Sequence, residues 1–224
     1  MTIKKDFLMT VNPVTISVVS TVVPTRELLL ETAEGLFAER GIHGVSLREI
    51  GLAAGQRNNG ATQYHFGDKV GLVVAIFERR AAEVNARRLA LLEQALSAGR
   101  DGVRDLVEAF VVPLAEQVSQ HHPYVRFLRR LQTDGHRDLL LSAGAEVSSA
   151  YEQIGRLLRE RHLKALPRDL FWNRWTLTVN TAISALADHQ AGASLLPGGR
   201  QLPLDVYIAE LVDALAGMLT APSR

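Results

Sequence analysis

Helical periodicity is the feature that most constrains this chain. From residue 25 onward, apolar residues recur at intervals of three and four, the spacing that places them along one face of an α-helix. Val103, Leu106, Val107 and Phe110 form one such stripe. The sequence shows no useful stretch of the alternation that is typical of a half-buried strand. It therefore predicts an all-α fold, and 224 residues are enough to bury a substantial core.

The first helices are short and have clear boundaries. Ser46 and Glu49 have the spacing of a capping box, in which each residue bonds the backbone N–H of the other. Val45 and Ile50 occupy the two positions of a hydrophobic staple around the same helix start. Asp68 stands where it would cap the long helix that follows the third segment. Three helices, with a tight turn between the second and the third, indicate a helix-turn-helix unit.

A polar cluster follows the turn at Gly55, where a helix-turn-helix places its recognition helix. Asn and Gln side chains can bond adenine in a bidentate manner, and Arg can do so with guanine. A Lys at a helix start is suited to hold a phosphate, because its charge adds to free backbone N–H groups. The residues that we expect to contact DNA are Arg48, Arg57, Asn58, Asn59, Thr62, Gln63, Tyr64, His65 and Lys69.

Residues 25–77 resemble the DNA-binding domain of TetR-type transcriptional regulators. Three runs carry the resemblance at the right spacing: LFAERG (36–41), SLREIGLAAG (46–55) and YHFGDKVGL (64–72). The resemblance implies an N-terminal three-helix helix-turn-helix domain, followed by a larger helical-bundle domain. It also implies a sequence-specific regulator, a repressor that a small-molecule effector releases from its operator.

Two departures from the family pattern leave a second interpretation open. Between Gly55 and Phe66 the chain has one residue more than is usual in the family, near Asn58 and Asn59. Gln63 stands where the family commonly has a phosphate-contacting Tyr. These departures leave the base-reading register open. They also leave open the alternative of a helical ligand-binding or adaptor protein that has lost specific DNA binding.

The chain divides into three parts by this interpretation. Residues 1–23 are expected to form a flexible N-terminal arm, and the sequence leaves open whether translation starts at Met1 or Met9. Residues 24–70 are the expected DNA-binding domain, and residues 71–224 the ligand-binding and dimerisation domain. No run of about 18 apolar residues is present, so we expect no membrane span and a cytoplasmic protein.

The resemblance further implies a homodimer on an inverted-repeat, double-stranded operator, because one short helix reads too few bases. Large apolar residues of the middle helices would line a pocket for a small, largely apolar effector. The expected lining is Phe110, Phe127, Leu131, Tyr151, Trp172 and Trp175. Small and apolar residues of the last two helices would allow close approach of a second chain. The expected interface is Thr178, Ala182, Ala185, Leu211 and Leu215.

Composition excludes several other classes of protein. The absence of Cys excludes disulfides, thiolate metal sites and a Cys nucleophile. The net charge of +1 means that DNA binding must depend on a local surface. His121, His122 and His136 lie near acidic residues, but no metalloprotease, hydrolase or phosphate-loop motif accompanies them. We therefore expect neither an enzyme nor a cofactor.

Overall fold

The computed structural model describes residues 25–56, 58, 60–136, 145–193 and 197–222, and it is all-helical over that part of the chain. The expected arm, Arg57 and Asn59 lie outside the described residues. The helices are α1 Thr25–Arg40, α2 Leu47–Ala53, α3 Ala61–Phe66, α4 Lys69–Ser97, α5 Val103–Ser119, α6 Tyr124–Thr133, α7 Ala145–Arg161, α8 Arg168–Gln190 and α9 Leu204–Thr220.

The predicted helix starts are confirmed in their atomic detail. Ser46 Oγ accepts from Glu49 N at 3.2 Å, and Ser46 N donates to Glu49 Oε2 at 2.7 Å, which completes the capping box of α2. Val45 and Ile50 are both buried beside it. Asp68 Oδ1 accepts from Gly71 N at 2.7 Å at the start of α4. Each cap satisfies backbone N–H groups that a helix start leaves without a partner.

The turn between α3 and α4 requires glycine at two positions. Gly67 has a φ of +76°, a left-handed conformation that side chains disfavour. A Cβ on Gly71 would lie 2.2 Å from the carbonyl oxygen of Phe66. These two residues let α4 begin immediately after α3, which sets the angle between the short helix and the 29-residue helix that follows.

Helix α5 continues through Pro113. Proline has no N–H to donate to the carbonyl of Ala109. One residue along, Arg88 Nε of α4 donates to Phe110 O at 3.1 Å, and the Arg88 guanidinium lies 3.8 Å from the centre of the Phe110 ring. Burial lowers the pKa of Arg88 to about 10. Contacts from α4 thus support α5 next to its proline.

One continuous hydrophobic core joins the N-terminal helices to the bundle. Helices α4 and α5 pack together, α7 packs on both, and α8 and α9 pack on α5 and on each other. Helix α1 packs against α4 and α6. Phe127 of α6 stacks with Phe37 of α1 and with Tyr124, each at 6.4 Å between ring centres. The helix-turn-helix unit is therefore packed directly against the bundle.

None of the described helices has the length and apolar character needed to cross a bilayer.

Candidate nucleic-acid interface

Helices α2 and α3 cross closely at Gly51 and Thr62. A Cβ on Gly51 would lie 3.3 Å from Thr62 Oγ1. The Thr62 side chain is only 1% exposed, and its hydroxyl has no hydrogen-bond partner among the described residues. Thr62 therefore packs inside the unit, and the expectation that it faces DNA is wrong. Thr62 lies on the inner face of α3, at the crossing with α2, where there is room only for small side chains.

The residues after Thr62 form the outer face of α3. Gln63, Tyr64 and His65 are all exposed, and Tyr64 is 87% exposed. The rings of Tyr64 and His65 lie edge to face at 5.3 Å. Phe66 turns back inward, and the Arg26 guanidinium of α1 lies 5.2 Å from its ring centre. A polar surface of adjacent side chains thus projects from a helix whose opposite side is fixed.

Asn58 has a structural role at the start of α3. Its Oδ1 accepts from Gly60 N at 2.9 Å, which closes the turn before the helix. The side chain is exposed, so its amide N–H₂ group remains turned to solvent-accessible space. Arg57 and Asn59, the two other expected contacts in this turn, lie outside the described residues.

The two basic residues expected to hold phosphates, Lys69 and Arg48, differ in exposure. Arg48 on α2 is exposed. Lys69 is half-buried, and its Nζ donates to Ile42 O at 3.1 Å, so it ties the start of α4 to the turn after α1. The ammonium group has two further N–H donors for a phosphate. Lys69 therefore combines an anchoring role within the fold with its expected role on DNA.

Local bonds engage Glu49, an acidic residue of α2. Glu49 accepts from Ser46 N, and Arg40 Nη2 donates to Glu49 Oε1 at 2.9 Å. The bond from the Ser46 backbone is the main reason that the pKa of Glu49 falls to about 2, and Arg40 adds to the shift. A carboxylate that is already bonded in this way opposes an approaching phosphate less than a free one.

Asp134, at the end of α6, fastens the bundle to the turn between α1 and α2. Its Oδ2 accepts from Ile42 N at 2.8 Å, and its carbonyl oxygen lies 2.8 Å from His43 Nε2. Arg130 Nη2, one turn earlier, donates to Glu39 O at 3.1 Å. No local pattern in the sequence predicts this contact, because Ile42 and Asp134 are 92 positions apart.

A buried polar cluster joins α1, α4 and the turn before α6. Arg80 Nε donates to Glu34 Oε2 at 3.1 Å, and Arg80 also bonds Glu83 and His122 Nε2. Glu34 Oε1 lies 3.5 Å from His122 Nδ1. Burial raises the pKa of Glu34 to about 7 against the opposing effect of Arg80, while burial lowers the pKa of His122. A charged residue on the apolar stripe of α1 was the signal that could have revealed this cluster.

The expected effector-pocket residues fall into two packed groups. Phe127 and Leu131 are fully buried on α6, where Phe127 stacks against α1. Phe110, Tyr151 and Trp175 pack together, with ring centres 4.9 Å apart for Phe110 and Trp175. Trp172 touches the outer side of this group through Tyr151. A single apolar pocket lined by all six residues stays a prediction.

The expected interface residues pack within one chain. Thr178 and Ala182 of α8 are buried, as are Leu211 and Leu215 of α9, and Ala185 is half-buried. Thr178 Oγ1 lies 3.8 Å from the sulfur of Met218 on α9. Small residues do allow the close approach that the stripe predicted, but the helix that approaches belongs to the same chain. These residues are therefore not a free surface.

Residues 29–76 match the family of bacterial regulatory proteins named tetR. HTH-type transcriptional regulator AcrR of Shigella flexneri is 31% identical over 176 residues, which are 74% of this chain and 77% of AcrR. The chain belongs to the TetR family. HTH-type transcriptional repressor NemR of Escherichia coli (strain K12) is 33% identical over 97 residues, which are 43% of this chain and 46% of NemR.

Solved structures of TetR-family regulators share the fold. The fatty acid degradation regulator FadR of Bacillus halodurans superposes with a TM-score of 0.62 at 15% identity, over 90% of this chain and 98% of FadR. A TetR-family regulator of Rhodococcus sp. gives a TM-score of 0.56 at 17% identity, over 88% of this chain and 98% of its own. The predicted fold, an N-terminal helix-turn-helix followed by a helical bundle, is confirmed.

Membership of the TetR family makes the chain a DNA-binding transcriptional regulator and not an enzyme. Residues that suggested acid–base chemistry have structural partners instead. Asp134 caps Ile42, His122 contacts Arg80, and the His136 ring lies 5.4 Å from that of His43. Dimerisation and release from DNA by a small-molecule effector are typical of this family.

Proposed function

We propose that this regulator reads its operator through the outer face of α3. The observation that carries the proposal is the row of exposed side chains Gln63, Tyr64 and His65, which projects from a helix whose opposite side is anchored by Thr62. Gln63 supplies a donor and an acceptor for an adenine edge in the major groove. Arg57, Asn58 and Asn59 precede α3 in the sequence, and we expect them to take part in the reading.

Phosphate contacts would position α3 in the groove. Arg48 approaches the DNA backbone from α2, and Lys69 does so from the start of α4. Tyr64 has a hydroxyl that can donate to a phosphate oxygen. Such contacts fix register and orientation and carry little sequence information, so base preference depends on Gln63 and its neighbours.

The same proposal includes a homodimer that binds an inverted repeat. The outward faces of α8 and α9 carry exposed apolar and small residues, which a second copy would cover. They are Leu170, Leu177, Val206, Ala214 and Gly217. A two-fold axis there would place two α3 helices about 34–36 Å apart, which is one turn of DNA. This surface replaces the buried residues that the sequence had suggested.

Repression with release by an effector is the activity that we assign to this dimer. Helix α4 runs from the recognition unit into the bundle, and α6 ends on the turn between α1 and α2 through Asp134. A ligand that favours another arrangement of these two helices would change the separation of the α3 helices. Release then follows because both half-sites no longer fit at once.

In vitro selection from random duplex DNA tests this proposal. The native protein is expected to enrich an inverted repeat. Gln63→Ala should lose about 1–3 kcal/mol of preference at one position in each half-site. Gln94→Ala is the matched control, because Gln94 is an exposed glutamine on α4 far from α3. No enrichment by folded native protein, or equal losses for both variants, would contradict the proposal.

A further inference from the structure

A charged cleft lies between α7 and α8, outside the DNA-binding surface. Its volume is about 580 Å³, which is within the range of about 300–1,000 Å³ for small-molecule sites. On α7 the positions 152, 156 and 160 face the cleft, and on α8 the positions 168 and 172 do so. The lining residues are Tyr151, Glu152, Arg156, Arg159, Glu160, Arg168 and Trp172.

Aromatic rings form one wall of the cleft. Tyr151 and Trp172 lie 6.0 Å apart between ring centres and are inclined by 35°. A Cβ on Gly155 would lie 2.8 Å from the Trp172 ring, so glycine is needed at this position for the indole to lie against α7. The Tyr151 hydroxyl lies 3.2 Å from Thr176 Oγ1, which holds the phenol in place. Thr176 and Gly155 therefore help to orient the two rings that form this wall.

Positive charge is in excess in the cleft. Arg156, Arg159 and Arg168 form no ion pair with any other residue that the structure describes, although many other arginines of the chain do. Arg159 Nε is buried and has no acceptor within the described part of the chain. The half-buried Arg159 side chain also lines the cleft, so an anionic ligand there would pair its guanidinium charge.

We propose that the cleft binds a small aromatic anion, such as an aryl carboxylate, whose ring lies against Tyr151 and Trp172 and whose charge is held by Arg159 with Arg156 and Arg168. A guanidinium suits a carboxylate because its planar donors match two oxygens. This inference rests on the proposed function, since it names the chemical class of the effector. It also replaces the largely apolar effector expected from the sequence.

Contacts lead inward from the cleft to the helix that carries the recognition unit. Tyr151 stacks with Trp175 at 5.5 Å, and Trp175 packs on Phe110 at 4.9 Å. Phe110 in turn contacts Arg88 on α4, the helix that begins beside α3. A ligand that moves Tyr151 would therefore act on α4 through packed side chains, with no need for a direct contact.

Calorimetric titration of the full chain with naphthalene-2-carboxylate tests the site. The carboxylate should bind at one site per chain, and naphthalene-2-carboxamide, which is neutral and of matched shape, at least about tenfold more weakly. Arg159→Gln should weaken carboxylate binding by a similar factor, and Arg156→Gln with Arg168→Gln serves as a second variant. Arg161→Gln is the control, because Arg161 lies on α7 but pairs with Asp101 at 2.7 Å.

Equal binding of the two compounds, equal effects of the Arg159 and Arg161 variants, or no saturable binding would overturn the proposal. The titration contains no DNA, so its result does not depend on whether the protein recognises an operator. A second arm measures operator binding with and without naphthalene-2-carboxylate. Bound carboxylate should weaken it in the native protein and not in Arg159→Gln. Carboxylate binding that leaves operator affinity unchanged would overturn the assignment of this cleft to an effector.

Discussion

At the residue scale, single side chains on the short helices decide which face reads DNA. A six-residue helix is too short for periodicity to show its inner face, so the sequence grouped Thr62 with Gln63, Tyr64 and His65. The structure separates them, because only Thr62 meets Gly51 of α2. Caps such as Asp68 could be predicted, since both bonded atoms lie within a few positions of each other.

Thr62→Val should leave operator affinity and base preference unchanged. The valine keeps the shape of the buried side chain and removes a hydroxyl that has no partner among the described residues. Replacing such a group by a methyl is expected to raise the free energy of unfolding by about 1 kcal/mol. Chemical denaturation and operator titration measure the two effects. A loss of base preference would show that Thr62 turns outward to DNA.

The titration of Glu34 should make stability depend on pH in a defined direction. Its pKa rises from 4.5 in the unfolded chain to about 7 when folded, so the folded protein binds the extra proton. The stabilising contribution is complete below about pH 4.5 and is lost as pH rises to about 7. The groups facing Glu34 are Arg79, Arg80, Glu83 and His122.

Glu34→Gln keeps the shape of the side chain and removes this titration. Relative to the variant, the native protein should lose up to about 3 kcal/mol of unfolding free energy between pH 5 and pH 8. Denaturation at several pH values measures the difference between the two curves. His122 titrates in both proteins and in the opposite direction, so it largely cancels. Parallel curves would show that Glu34 stays ionised throughout, held by Arg80.

At the element scale, α4 and α6 meet at the same short turn. Lys69 bonds the carbonyl of Ile42, and Asp134 bonds its N–H. The sequence predicted both helices and the Lys at the start of α4, since those signals are local. It could not predict that Asp134 reaches Ile42, because a contact across 92 positions depends on how the helices pack.

Asp134→Ala should loosen the turn between α1 and α2. It leaves the N–H of the fully buried Ile42 without an acceptor, at a cost of about 1–3 kcal/mol. Hydrogen exchange at Ile42 should therefore accelerate while exchange in α9 changes little. Asp134→Asn is the matched control, because its amide oxygen can still accept from Ile42. Similar acceleration in both variants would mean that charge, and not the hydrogen bond, holds the turn.

At the scale of the whole molecule, the family and the order of its helices were accessible from sequence, and the assembly surface was not. The small residues along α8 correctly indicated close helix packing. Periodicity cannot say whether the approaching helix belongs to the same chain. Thr178 and Ala182 were therefore assigned to a dimer interface, from which their burial within one chain excludes them. What remains exposed on α8 and α9 is a second stripe, which includes Leu177 and Val206.

Leu177→Glu should convert the dimer to a monomer, because Leu177 is 50% exposed on the face that we assign to the partner and a carboxylate there would lose its hydration. Leu28→Glu, on an exposed position of α1, is the matched control.

Light scattering gives the mass, and operator binding at several salt concentrations gives the number of phosphates contacted. A monomer contacts one half-site, so the slope of log K against log salt should fall to about half. Adding about five base pairs between half-sites, half a turn, should weaken the native dimer and leave the monomer unaffected. An unchanged mass for Leu177→Glu would place the interface elsewhere on the chain.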